Sequence, residues 1–232
     1  MPVQLVVLAG GFGTRLKGAI ADGLPKPMAP IAGKPFLVHL LDRAIVQGVD
    51  DVILLVGYKS AVVADYFGVS YRGLPITYSY EDTPLGTGGA IKAAAPHLLS
   101  EFVLVNGDTF VDVSYRAILG CLGSKPLCMS LASLEDVSRY GSVITESGVV
   151  VGLREKGMSG PGVVNAGVYG CGRDLLDLLP ARASFSFEVD FLEQELPRLR
   201  PRFVEADSGI IDIGTPESYA HGNAVFSRPT GN

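Results

Sequence analysis

Several ingredients are scarce in this chain, and each scarcity closes off a class of function. Only three cysteines occur, Cys121, Cys128 and Cys171. They form no C-x-x-C pair and leave an odd number, which argues against a disulfide framework and fits reduced thiols acting as small buried hydrophobes. Of three histidines, His39 falls in a helical pattern, and His97 and His221 lack metal-ligand spacing. No run of about 18 apolar residues could span a membrane. The first residues also lack the basic region and apolar core of a secretory signal, so a cytoplasmic location is expected. Positive charge is outnumbered, with 19 Lys and Arg against 24 Asp and Glu and a formal net charge of -5. A nucleic-acid partner is therefore not expected, and a phosphate-bearing ligand would need a local basic site or a metal ion.

What is present fits one large α/β domain. The chain has 232 residues, 47% hydrophobic and 19% charged, enough to bury a substantial core. Apolar runs alternate with helical patterns through the first half. Strands are predicted at 3–9, 51–57, 76–80 and 102–106, and helices at 35–47, 60–67 and 86–98. In the helix at 35–47, Leu37, Leu40, Leu41, Ala44 and Ile45 share one stripe, between Pro35 and Gly48. Strands separated by helices imply a mainly parallel sheet covered on both faces. The second half changes rhythm. Strands are predicted at 126–134 and 163–171, a pair of strands within 142–153 joined at Glu-Ser-Gly, and a strand at GIIDIG (209–214). Helices are predicted near 172–179, at 188–197 and from Pro216. No Ser/Gly/Pro-rich linker divides the halves, so one domain is expected over 1–225, with a loose tail at 226–232.

The stretch LAGGFGTRLKG (8–18) places glycines directly after the first predicted strand. Glycine permits close backbone approach, so the cluster suggests main-chain N–H groups turned toward a ligand, and Arg15 suggests that the ligand is anionic. The G-x-G-x-x-G fingerprint fails, because Gly13 is followed by Thr14, Arg15 and Leu16, and no Walker A sequence occurs. An ordinary turn would explain the cluster equally well in isolation. Other polar residues also fall at predicted carboxyl ends of strands, where open parallel sheets bind ligands: Glu81, then Asn106-Gly107-Asp108, then Asp212 and Gly214.

GGFGTRL (10–16), KPMAPIAGKP (26–35), PLGTGGA (84–90), NGDT (106–109), Glu155-Lys156, NAGVY (165–169) and DIGTPESY (212–219) occur in the order found in sugar-1-phosphate nucleotidyltransferases, which the chain resembles from about residue 3 to 225. The resemblance implies a three-layer Rossmann-like nucleotidyltransferase fold with a mixed second half. It also implies transfer of a nucleotidyl group from an NTP to a sugar 1-phosphate with release of pyrophosphate. On that resemblance Arg15 and Lys26 are the catalytic cations, the first at the leaving pyrophosphate and the second between the α-phosphate and the sugar phosphate. Leu8, Gly10, Gly11, Gly13, Thr14, Glu81, Gly86, Thr87 and Gly88 bind the nucleotide. Gly141, Glu155, Lys156 and Asn165 bind the sugar phosphate, and Asp108 and Asp212 hold Mg²⁺. Glu188 and Asp190 stay outside this set, because acids at a helix N-terminus are favourable anyway.

The base-reading position of the family falls on Glu81. Guanine offers adjacent N1–H and N2–H donors that a carboxylate can accept together, whereas uracil and thymine flank a single N3–H with carbonyls. LPKPMAPIAGKPF, YSYEDTPLGTGGAIK, VNGDTF and FSFEVDFL together are most similar to the guanylyltransferase branch acting on D-glycero-α-D-manno-heptose 1-phosphate. That branch implies GTP as donor and GDP-heptose as product, for surface polysaccharide or S-layer glycan assembly. Gly157 stands where many relatives have proline, and no hexapeptide repeats follow, so a single activity is expected in a chain that could form a homodimer. Three alternatives stay open: a uridylyl- or thymidylyltransferase for a hexose or N-acetylmuramic acid 1-phosphate, a glycosyltransferase, and a non-catalytic nucleotide-sugar-binding regulator.

Overall fold

The computed structural model describes residues 2–11, 13, 16, 24–154, 157, 159–207 and 209–228. In chain order its elements are β1 (Gln4–Leu8), β2 (Pro30–Ile31), β3 (Lys34–Pro35), α1 (Phe36–Val46), β4 (Asp51–Val56), α2 (Ser60–Phe67), β5 (Ser70–Tyr71) and β6 (Leu74–Tyr80). Then come α3 (Gly86–Ala93), β7 (Glu101–Asn106), β8 (Thr109–Phe110), α4 (Tyr115–Leu122), β9 (Leu127–Leu134), β10 (Val143–Glu146), β11 (Val149–Leu153) and β12 (Gly162–Gly172). The chain closes with α5 (Glu193–Leu199), β13 (Arg202–Glu205), β14 (Ile211–Asp212) and α6 (Pro216–Phe226).

Among the described residues, ten strands form one sheet in the order β10-β11-β13-β9-β12-β7-β1-β4-β6-β5. The block β7-β1-β4-β6 is parallel throughout, and β12 runs antiparallel between β7 and β9. The sheet therefore continues without a break from the first half into the mixed second half.

Its strands read as unbroken apolar runs because both faces are buried. Leu5 and Val7 of β1 and Val52, Leu54 and Val56 of β4 pack on one side with Phe36, Leu37 and Leu41 of α1 and Ile118 of α4. Val6, Ile53 and Leu55 pack on the other with Ala90 and Ile91 of α3 and with Phe187, Phe191 and Leu196. Each strand thus serves two cores by simple alternation.

Differences from the sequence reading concentrate in the second half. The expected helix near 172–179 is a 3₁₀ segment, Arg173–Leu178. The expected helix at 188–197 is a π-helical turn, Phe187–Leu192, running into α5. GIIDIG supplies only the two residues of β14, which pair with β8 in a separate small sheet. β13 carries no sequence signal of its own: Arg202-Phe-Val-Glu205 is too short to mark a strand, and its place parallel to β9 depends on distant pairing. The β10–β11 turn does fall at Ser147-Gly148, both with positive φ (49° and 77°), as a tight hairpin requires. The cysteines are free, with Cys128 and Cys171 buried, and no described helix is long and apolar enough to cross a membrane.

Helix α4 offers a stability test independent of function. Gly120 is exposed within this helix, and an added Cβ there meets nothing within 4 Å. Gly120→Ala is expected to stabilise by about 0.5–1 kcal/mol through helix propensity and a restricted unfolded chain. Thermal unfolding checks this, and a lowered Tm would contradict it.

Candidate active site

Two adjoining clefts open where the parallel strands end. The larger, about 580 Å³, lies beyond the carboxyl ends of β1, β4, β6 and β7 and has an apolar floor of Leu8, Leu55 and Ala90. The smaller, about 390 Å³, is walled by Tyr140, Gly141, Leu153, Arg154, Asn165 and Asp212. Asn106 and Glu188 line both. Both volumes fall in the range of small-molecule sites, and the switch in strand direction beside β7 makes this the expected end of the sheet.

Of the residues expected to bind nucleotide, Leu8, Gly10, Gly11, Glu81, Gly86 and Thr87 line the larger cleft. Glu81 is fixed by its own turn: its Oε2 accepts from the Leu85 N–H at 2.9 Å. Its Oε1 faces Gly10 so closely that a Cβ on Gly10 would lie 2.6 Å away. Gly13 and Gly88 do not line the cleft. Gly13 backs onto Lys26, 3.1 Å from an added Cβ to that residue's Cβ, and Gly88 packs against the Phe185 ring. Gly141 and Asn165 line the smaller cleft. Thr14, Arg15, Glu155 and Lys156 lie outside the described residues.

Lys26 sits in a 3₁₀ turn, Lys26–Met28, held between Pro25 and Pro27. Its side chain is only 9% exposed, and its ammonium forms an ion pair with Asp108 Oδ2. Asp108 is carried past the end of β1 by Gly107, whose N–H donates to Leu8 O at 3.1 Å. A Cβ on Gly107 would lie 2.3 Å from that same carbonyl, so only glycine permits the crossing.

Asp212 reaches the same spot from the other end of the chain. β8 and β14 set Asp212 opposite Thr109, and the Ile213 N–H donates to Asp108 O at 3.0 Å. A Cβ on Gly214 would lie 2.9 Å from Asp212 Oδ1 and 3.6 Å from Lys26 Nζ, so Gly214 packs against both the carboxylate and the ammonium. Asp212 is heavily hydrogen-bonded: Oδ1 accepts from Gly214 N at 2.8 Å and Ser218 Oγ at 3.0 Å, and Oδ2 from the Tyr140 hydroxyl at 2.5 Å. Burial opposes its ionisation. The bonds from Tyr140, Gly214 and Ser218, with the Arg139 guanidinium nearby, outweigh burial and hold the carboxyl below its ordinary value. Tyr140 shifts oppositely, pushed up by burial and by the carboxylate it donates to, and so remains a donor.

The two acids set aside in the sequence separate in space. Asp190 clips its own segment, accepting from Ser186 N at 2.7 Å and pairing with Arg182 at 2.6 Å, and the backbone bond chiefly lowers its pKa. Glu188 instead lines both clefts. Tertiary contact makes this distinction, because both acids follow the Ser186 cap and read alike as favourable first-turn charges.

The chain matches the family described as nucleotidyl transferase over residues 4–227. It is 40% identical over 220 residues to the D-glycero-alpha-D-manno-heptose 1-phosphate guanylyltransferase of Campylobacter jejuni, covering 94% of this chain and 98% of the relative. The enzyme of the same name from Aneurinibacillus thermoaerophilus is also 40% identical over 220 residues, covering 94% and 95%. The crystal structure of HddC from Yersinia pseudotuberculosis complexed with GMP-PN matches with a TM-score of 0.84 at 35% identity, over 96% of this chain and 99% of that one. With a Lys26–Asp108–Asp212 cluster at the junction of two clefts and a family match spanning nearly its whole length, the chain belongs to the nucleotidyl transferase family.

Proposed function

We propose that this enzyme transfers a guanylyl group from GTP to D-glycero-α-D-manno-heptose 1-phosphate, giving GDP-heptose and pyrophosphate. The observation that carries the reading is the junction itself: Lys26 and Asp108 line the larger cleft, Asp212 lines the smaller, and the Ile213 N–H to Asp108 O bond joins the segments that carry the two aspartates. A nucleoside triphosphate in the first cleft and a sugar phosphate in the second would bring their phosphates together at that cluster. The names of the two relatives at 40% identity support the substrate pair.

In the proposed reaction, an oxygen of the sugar phosphate attacks the α-phosphorus in line with the departing pyrophosphate. The protein positions two mutually repelling anions and offsets the charge that spreads over the transferring phosphoryl group. Lys26 does this at the junction as a compact charge whose stem is held by the proline-bounded turn. Arg15 meets the leaving pyrophosphate, and Glu155 and Lys156 complete the sugar-phosphate side. The cleft-facing carboxylate of Glu81, anchored through one oxygen to Leu85 N–H, accepts from guanine N1–H and N2–H. Gly141 and Asn165 contact the sugar.

The donor set also fits Mg²⁺. Asp108 and Asp212 present hard carboxylate oxygens, and the bond from the Ile213 N–H to Asp108 O joins the two segments that carry them. This matches a cation that takes one or two carboxylates and fills its other positions with water and substrate phosphate. When bound, Mg²⁺ supplies charge neutralisation at the phosphates. We extend the reading to one domain over 1–225 and to a cytoplasmic enzyme.

The test is pyrophosphate release in the presence of Mg²⁺ across GTP, UTP, dTTP, CTP and ATP. Each is paired with the heptose 1-phosphate, mannose 1-phosphate, glucose 1-phosphate and N-acetylmuramic acid 1-phosphate. Activity confined to GTP with the heptose phosphate is expected. Turnover with another pair would discard the substrate assignment, and silence across the panel would overturn the reading.

A further inference from the structure

Glu188 is held by three residues from two strands, β7 and β12. Its Oε1 accepts from the Tyr169 hydroxyl at 3.1 Å and, more weakly, from Asn106 Nδ2 at 3.4 Å and Asn165 Nδ2 at 3.5 Å. Asn165 Nδ2 also donates to the Tyr169 oxygen at 2.7 Å. Tyr169 is fully buried, at 0% exposure, and its ring meets Phe187 edge-on with centroids 5.3 Å apart. Burial and then the nearby Glu188 charge keep its phenol protonated, so it remains a donor at any working pH.

The backbone is shaped to make this cluster. Along β12, Asn165 pairs with Leu131 and Tyr169 with Met129, so β12 spends two more residues than β9 over the same stretch. An even excess keeps Asn165 and Tyr169 on one face and leaves residues 166–168 as a buried bulge between them. The N–H groups freed by the bulge are recovered: Val168 N donates to the buried Ser130 hydroxyl and Gly167 N to Asn165 Oδ1, each at 3.2 Å. On the opposite wall, the π-helical turn Phe187–Leu192 presents Glu188. Bulges and π turns both concentrate where a side chain must be re-aimed at a functional site.

We propose that Glu188 is a specificity-determining acceptor for hydroxyls of the sugar 1-phosphate, and that Tyr169 is a positioning residue which acts only by holding that carboxylate in place. The inference rests on the nucleotidyltransferase reading above. A carboxylate in the wall shared by both clefts repels phosphate, so its partners are neutral donors such as hydroxyls. The choice of the sugar over the ribose follows from Asn165, which bonds to the Glu188 cluster and lines only the smaller cleft.

Steady-state kinetics of Glu188→Gln, Tyr169→Phe and the double variant, alongside wild type with GTP and the heptose phosphate, test this. Glu188→Gln is expected to raise KM for the sugar phosphate by on the order of tenfold, leaving KM for GTP within about twofold. Tyr169→Phe is expected to raise the same KM by roughly threefold to tenfold, and the double variant to be no worse than Glu188→Gln, because the tyrosine acts through the glutamate. Multiplying losses in the double variant would overturn the positioning role. A rise in KM for GTP instead would show a ribose contact and overturn the sugar assignment. A fall in Tm with both KM values unchanged would reduce the cluster to structure. Wild-type silence would overturn the parent reading and this one together, whereas wild-type turnover leaves the variants to judge this one alone.

Discussion

Lys26→Met is expected to leave a folded protein whose kcat/KM falls by on the order of 10²–10³, about 3–4 kcal/mol of lost transition-state stabilisation. Two effects compete in this variant, and their magnitudes separate them. Removing the ammonium strips Asp108 of its partner, which would cost several kcal/mol for a fully buried acid. Asp108 is 36% exposed, so water takes over much of that role, and the stability cost should be nearer about 1 kcal/mol. Tm should therefore move by only a few degrees while turnover collapses. Lys26→Arg should rescue little. The lysine side chain is 9% exposed, with Gly13 backed against its Cβ, and a planar guanidinium fork does not replace a compact ammonium in such a space. Near-normal turnover in Lys26→Met would remove the lysine from the mechanism. A Tm loss of more than about 10 °C, well beyond the shift that about 1 kcal/mol gives in a chain of this size, would make it mainly structural.

The second large effect concerns stability. Gly89→Ala is expected to destabilise by about 3 kcal/mol, the upper part of the range for overpacking a closed site, and so to lower Tm by roughly 6–12 °C. A Cβ at this position would lie 2.2 Å from the Ala183 carbonyl oxygen and 2.9 Å from Leu85 Cβ. The first is backbone and cannot swing aside. Helix propensity favours alanine by only about 1 kcal/mol, too little to reverse the sign. The crowding has a purpose visible in the hydrogen bonds. α3 has no side-chain N-cap, and the chain at 183–187 satisfies its first turn instead. Gly88 N donates to Phe185 O at 3.0 Å, Phe185 N to Leu85 O at 2.9 Å, and Phe187 N to Thr87 Oγ1 at 2.8 Å. Since that segment leads directly into Glu188, KM values for both substrates should rise along with the loss of stability. Gly120→Ala is the matched control, with the same substitution in an open helix position. An unchanged Tm in Gly89→Ala would mean that the 183–187 segment yields easily and does not fix the wall.

The motif GTGG thus has two readings. As sequence it resembles a nucleotide-binding segment, and Gly86 and Thr87 do line the larger cleft. Gly88 and Gly89 serve close packing against a segment about a hundred residues away along the chain. Nothing local in the sequence separates the two roles, because a glycine that admits a ligand and one that admits a neighbouring backbone look alike. Glu188 and Asp190 illustrate the same difficulty with acids: one faces two clefts, the other ties down its own turn.

The sequence by itself determined the alternating strands and helices of the first half. Burial on two sheet faces and one helix stripe writes directly into local periodicity, as in β4 at Asp51–Val56 and α1 at Phe36–Val46. It also determined the order of motifs and the strand ends on which their polar residues would stand. Only the tertiary structure decided what those residues meet. Lys26 reaches Asp108 across 82 positions and Tyr140 reaches Asp212 across 72. The two-residue pairing of β8 with β14, the place of β13 beside β9, and the β12 bulge that turns Asn165 and Tyr169 toward Glu188 are likewise settled by distant partners. Periodicity records whether a residue is buried. Which distant group fills the space beside it is fixed only when the sheet closes.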